Sequence, residues 1–343
     1  GFQAGRAVTT GIQNTLIGAN AGDALTLGAD NVAIGMNALG ADTLGSDSTA
    51  VGQGALFTQN FTTATDTNNT AVGRHAGLSV TTGIKNSILG GLAGDALTDA
   101  DENTALGYFA LGTDTLGSRS TAIGTGALAT QNFTTATNAY NTAVGYDAGV
   151  AVTTGIQNTL IGAKCGDSLT DADYNVAVGR ATLAADTLGS KSVAIGSFSL
   201  DAQNFTTATD SANVAVGYNA GGAVTTGKEN TLIGFQAGDD LTDSDRNTAI
   251  GAYALHTNTT GVQNTLIGGL AGDALTDADS NIAVGTSSLG SDTLGSKSIA
   301  VGYAALFNQN FTTATDSFNT AVGHEAGKAV TSGTSNTFVG GQA

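Results

Sequence analysis

One pentad, typified by Asn141-Thr142-Ala143-Val144-Gly145, recurs nineteen times along this 343-residue chain. Copies begin at residues 14, 31, 48, 69, 86, 103, 120, 141, 158, 175, 192, 213, 230, 247, 264, 281, 298, 319 and 336, in steps of 17 except for four of 21. Each copy is Asn or Ser, then a β-branched residue or Ser, then Ala or a larger apolar residue, then an aliphatic residue, then Gly. Repetition at a fixed short period means stacked structural units, each contacting only its neighbours. The expected fold is all-β, a parallel β-solenoid of about nineteen coils forming one continuous domain over 1–343. At ~4.8 Å per coil it would span roughly 90 Å.

The coils fall into a 72-residue cassette of four types. Type A is 141–157, type B 158–174, type C 175–191 and type D 192–212, and D carries the four extra residues. After the B coil at 230 the order slips. A hybrid coil at 247 is followed by a second B coil at 264, so 230–263 reads as a duplicated pair. A one-dimensional stack accepts such insertions because every unit presents the same interface.

Thr, Val and Ile suit a pleated strand, and a Gly that closes all nineteen pentads marks a corner needing positive φ or lacking room for a Cβ. The leading Asn, present fifteen times against four Ser, suits either an amide ladder along the axis or a left-handed turn. The fourth position is always aliphatic and is expected to face the interior of the coil. The third would then point outward, because side chains alternate along a strand. It is Ala thirteen times and otherwise Leu16, Ile88, Leu160, Leu232, Leu266 or Phe338. A strand apolar on both faces is normally covered on both, so the alanine side is expected to meet another chain. A weaker second strand is expected after the Gly corner, carrying Leu25 and its B-coil equivalents and Val80 and its A-coil equivalents.

Fifty glycines with no proline suit corners in a ladder that proline would interrupt. The net charge of −17 disfavours nucleic acid and anionic membranes as partners and favours divalent cations. One cysteine, Cys165, rules out an intrachain disulfide framework. No apolar run approaches the ~20 residues that span a bilayer, so no membrane insertion by this segment is expected. Gly1 aligns with Gly145 inside a coil, so the sequence reads as a piece of a longer fibre.

Ser192-Val193-Ala194-Ile195-Gly196, preceded by Lys191, resembles the head repeats of trimeric autotransporter adhesins, the Hep/Hag or YadA-type left-handed parallel β-roll. The runs at 141–149 and 230–238 are also similar to repeats in bacteriophage tail fibres. The resemblance covers essentially the whole chain. It implies three chains around one axis, and an extracellular fibre on a virion or bacterial cell that attaches to a host. These coils are longer than the usual head repeat, and no neck, stalk, membrane barrel or chaperone tip is present.

Three features are candidates for binding. B coils end in Asp-x-Asp-x-Asn runs at Asp99 and Asp101, Asp171 and Asp173, Asp243 and Asp245, and Asp277 and Asp279. Their alternate oxygens resemble the opening of a calcium loop, although the later Gly and Glu of an EF-hand are absent. The structural alternative is a solvated acidic turn. D coils carry Gln-Asn-Phe-Thr-Thr-Ala-Thr at 59–65, 131–137, 203–209 and 309–315, where Phe61, Phe133, Phe205 and Phe311 are expected to plug a groove between chains. Aromatics follow the Gly corner at Tyr108, Phe109, Tyr146, Phe198, Tyr218, Phe235, Tyr253 and Tyr303. Tyr218, Phe235 and Tyr253 lie in consecutive coils and would form a stripe for a glycan or protein receptor, or merely pack over the corner.

Nothing resembles an active site, which is normally unique whereas these Ser and Asp residues repeat; His75, His256 and His324 are isolated. The expected role is therefore a non-enzymatic fibre shaft or head presenting an adhesive surface, with a purely structural filament or surface-layer protein as the alternative. An ice- or mineral-binding solenoid ranks below both, since its Thr-rich TTATD segment occurs only once per cassette.

Overall fold

The computed structural model describes residues 1–343 and contains no helix. The chain divides into two compact units, 1–173 and 174–343, each a parallel β-solenoid. Nine three-residue strands lie in the first unit and ten in the second, one per pentad, giving about nineteen turns. Each strand takes the second to fourth pentad residues. Within the first unit, Thr142–Val144 pairs in register with Thr159–Ile161; within the second, Val214–Val216 pairs with Thr231–Ile233.

The pentad glycine meets both demands read from the sequence. Gly145 has a φ of 142°, and a Cβ there would sit 2.5 Å from the carbonyl oxygen of Gly162 in the next coil. No side chain fits that gap. The residue before each pentad is also left-handed, from Gln13 (φ 60°) to Ser335 (φ 59°), and it includes Lys, Arg and Tyr. The leading Asn is not left-handed. Its side chain closes the coil instead: Asn141 Nδ2 donates to the Gly155 carbonyl at 2.7 Å, and its Oδ1 accepts the Asn158 N–H at 2.9 Å. Amide-to-amide bonds join only some steps, such as Asn158 Nδ2 to Asn141 Oδ1 at 3.3 Å.

The faces of the strand are the reverse of those expected. The third residue points inward, and Ala50, Ala143, Leu160, Ala215 and Leu232 have no exposed surface. The fourth points outward, half-buried or exposed, with Leu89 at 47% and Ile195 at 39%. The reason is volume. The interior is filled jointly by the third residue and by residues eight and eleven places after the leading Asn. Where the third residue is Ala, as in C and D coils, a fully buried leucine such as Leu39, Leu111 or Leu200 stands eight places on. Where it is Leu, as in B coils, that place is Gly, and the Leu160 methyls reach to within 2.9 Å of where a Gly166 Cβ would lie. A large aliphatic residue in every pentad could not share such a narrow interior with a leucine from the same coil.

The segment after the corner forms turns, not a second strand, although Leu25, Val80, Leu97 and Val152 are fully buried in it. Short second strands occur only where a C coil meets a D coil: Gly45–Ser46 with Thr65–Asp66 and Gly117–Ser118 with Thr137–Asn138 in the first unit, Gly189–Ser190 with Thr209–Asp210 and Gly295–Ser296 with Thr315–Asp316 in the second.

At each of these junctions lies a buried polar cluster. Asp114 is fully buried; its Oδ1 accepts N–H donors from Gly117 (3.0 Å) and Phe133 (3.1 Å). Its Oδ2 accepts from Gln131 Nε2, whose Oε1 in turn accepts Asn141 Nδ2 at 2.8 Å. Asp42 with Gln59, Asp186 with Gln203 and Asp292 with Gln309 repeat the arrangement. Satisfying every oxygen makes a buried carboxylate tolerable. Phe133 and its equivalents are 6% exposed and pack over the C-coil glycine, so they plug their own chain's interior, not a groove between chains.

Candidate functional site

The acidic runs of the B coils are tied to the preceding coil. Asp99, Asp171, Asp243 and Asp277 accept the hydroxyl protons of Thr82, Thr154, Thr226 and Thr260 at 2.6–2.8 Å. Asp101, Asp173, Asp245 and Asp279 each accept a backbone N–H, from Ile84, Ile156, Lys228 and Val262, at 2.8 Å. The fold therefore uses these carboxylates as clamps between coils. No group of three or more His, Cys, Asp or Glu side chains is gathered at these turns.

The aromatic stripe does form, in the second unit. Tyr218 stacks on Phe235 with centroids 5.5 Å apart and planes 14° apart, and Phe235 meets Tyr253 edge-on at 5.3 Å. The row is longer than the three residues expected. Phe198 abuts Tyr218 at 6.0 Å, the Arg180 guanidinium lies 5.1 Å from the Phe198 centroid, and His256 lies 5.4 Å from Tyr253. Tyr218 remains 50% exposed. Only Tyr218 and Phe235 turn their faces toward one another; the Phe198–Tyr218 and Phe235–Tyr253 contacts are edge-to-face. The ends of the row carry the cation–π and imidazole contacts. Elsewhere the aromatics act in pairs, Tyr108 with Phe109 and Tyr303 with His324.

Beneath the stripe runs a column the sequence reading did not single out, nine places after each leading Asn. In three consecutive coils it reads Asp239, His256, Asp273. His256 Nε2 lies 3.8 Å from Asp239 Oδ2, and Gln236 Nε2 donates to that same oxygen at 2.8 Å. Burial pushes the Asp239 and Asp273 carboxyls above the usual carboxylate range, while Gln236 and His256 oppose the shift at Asp239. Aligning coils by offset, not by motif, shows this column in the sequence.

Cys165 is fully buried where other B coils have Ala, and burial pushes its thiol up to about 12. A thiol so rarely ionised is a poor nucleophile. The first unit carries a pocket of about 410 Å³ around Gly54, Phe57 and His75. Compared with known proteins, the chain matches no family model and no curated protein at a significant level. Its class thus rests on the fold, a β-solenoid repeat protein.

Proposed function

We propose that this chain is a non-enzymatic shaft or head segment of an extracellular fibre, carried by a virion or a bacterial cell, that assembles as a homotrimer and presents a receptor-binding surface. The observation that carries this reading is the outward row of aliphatic fourth residues in each unit, Ile123, Val144 and Ile161 in the first and Ile233, Ile250 and Ile267 in the second. These are half-buried or exposed in every coil, flanked by β-branched second residues. A contiguous apolar row of this length marks an interface, and identical rows on identical chains cover one another around an axis. The argument for association thus passes from the alanine side to the opposite face of the same strand.

Sedimentation equilibrium tests the assembly: the protein is expected at three times the 33.6 kDa chain mass, and Val144→Asp with Ile233→Asp is expected to release folded monomer. A wild-type monomer at micromolar concentration overturns the trimer. Binding of the trimer to bacterial and animal cells tests attachment, and absence of binding to every cell type leaves the purely structural filament. That second reading has its own support, since so many acidic and Thr side chains are engaged between coils. The mineral-binding reading gains a Thr or Asn in every coil, twelve places after the leading Asn. Its hydroxyl protons, however, go to the next coil's carbonyl, as from Thr98 to Thr115 at 2.9 Å. One such row, with its donors spent, is a weak template for a crystal lattice.

A further inference from the structure

We infer that the pocket over Gly54 in the first unit is a binding site for one ring of a neutral saccharide. The inference rests on the receptor-binding reading and gives it a ligand class. The site exists because of three local choices. Position 54 is Gly, where the other D coils have Gly126, Phe198 and Ala304. Position 57 is Phe, which is 38% exposed and leans over Gly40 of the preceding coil, and His75 of the following coil lies over the bare Gly54 backbone. Around Gly126 the same space is taken by the Asp147 carboxylate. The pocket is therefore particular to this coil and is not a property of the repeat.

Its walls select the ligand. Phe57 and Leu78 supply an apolar side, and the volume of about 410 Å³ falls within the ~300–1,000 Å³ of small-molecule sites. The rim is polar and largely uncommitted. The Gln53 amide, the Ser79 hydroxyl and the His75 imidazole form no hydrogen bond within the protein, and Asn37 uses only its Oδ1, toward Asn20. No Lys, Arg, Asp or Glu lines the pocket. A phosphate or carboxylate would find no Lys or Arg there, and an amine no Asp or Glu. A pyranose, with a C–H face for Phe57 and hydroxyls that both donate and accept, matches every wall.

The test is saturation-transfer NMR on the full chain with methyl glycosides of glucose, galactose, mannose and N-acetylglucosamine. At least one is expected to receive saturation at its ring C–H protons. Two variants probe the site without foreign geometry. Phe57→Ala installs the residue found at the equivalent position 129 and is expected to weaken binding about tenfold. Gly54→Phe installs the residue found at 198, where φ is likewise positive (62° against 66°), and is expected to abolish it. Unchanged circular dichroism and melting show that both variants fold. Absence of transfer from every glycoside, or transfer that survives Gly54→Phe, overturns the assignment. Whole-cell binding separates it from the reading beneath: cell attachment without saccharide binding removes the pocket and leaves the fibre, whereas saccharide binding without cell attachment does the reverse.

Discussion

Replacing Asn258 with leucine is expected to stabilise the second unit. Asn258 has no exposed surface, and neither its amide nitrogen nor its amide oxygen has a hydrogen-bond partner. The cause lies in coil order. Residues 247–258 have the pattern of a C coil, with Asn258 where C coils place Asp42, Asp114, Asp186 and Asp292. Those aspartates are satisfied by the Gln of the D coil that always follows. After the hybrid coil comes a B coil, whose residue at that height is Leu275, and the coil before supplies Leu241. An orphaned amide thus sits between two leucines.

An unsatisfied buried polar group costs about 1–3 kcal/mol, so removing donor and acceptor together should return about 3 kcal/mol. Leucine is tolerated at this offset beside a glycine three places on, since Leu25 packs against Gly28 in the first B coil. Because stability in a solenoid is a sum of neighbour terms, the gain should be local. Native-state hydrogen exchange is the appropriate assay. Amides within 241–275 are expected to open about a hundredfold less often, with distant coils unchanged. Asn258→Asp provides the contrast, burying a charge without the Gln that a following D coil supplies to the C-coil aspartates, and should speed exchange in the same coils. Equal or faster exchange in Asn258→Leu would refute the reasoning, because the amide would then be contributing to the coil.

Four further outcomes follow from the same contacts. Gly145→Ala puts a Cβ 2.5 Å from the Gly162 carbonyl oxygen and is expected to cost more than about 4 kcal/mol by chemical denaturation. Burial holds the Asp95 carboxyl above its ordinary value of 3.8, so its contribution to stability is full below that value and is lost as pH rises through the folded one. Asp95→Asn should therefore melt higher than wild type at pH 7, an advantage that disappears toward pH 3–4; a constant difference across that range would count against it. Cys165, buried with its thiol raised to about 12, should resist iodoacetamide in the native protein at pH 8 and react after unfolding. EDTA should leave the melting temperature unchanged, because one oxygen of each Asp is already engaged with a Thr hydroxyl or a backbone N–H group; a fall of several degrees would point to a calcium site.

The repeat made the solenoid legible, because a glycine every 17 or 21 residues with β-branched neighbours has few other solutions. Which face of the three-residue strand turns inward was not legible from hydrophobicity, since both faces are apolar. The decisive signal was compensation in size between positions of one coil, Leu160 with Gly166 against Ala105 with Leu111. That signal appears only when coils are aligned by offset. The same alignment shows that Asp114 and Gln131 share the offset of Leu97 and Val152, so buried polar pairs were readable, though their composition suggested surface. The Tyr218–Phe235–Tyr253 row was readable from consecutive coils. The direction its ring faces take was not, because that depends on rotamers set by neighbours.

Where function can reside follows from which columns the fold has already used. Third, eighth-offset and eleventh-offset residues fill the interior, pentad glycines leave no room for a side chain, leading Asn residues close each coil, and the acidic turns clamp one coil to the last. What stays free to vary is the pair of positions after the glycine, the ninth-offset column and the left-handed residue before each pentad. The aromatic row, the Asp239–His256–Asp273 column and the pocket over Gly54 all lie in those variable columns, and all depart from the cassette average. A repeat used only as a spacer has no reason to concentrate its irregularities in neighbouring outward columns. Exchanging the segment 48–79 for the equivalent 120–151 keeps every structural column intact while replacing Gly54, Phe57 and His75 by Gly126, Ala129 and Asp147. Such a chimera should melt as wild type yet lose saccharide transfer; if it keeps both, the irregularities are neutral drift on an inert repeat.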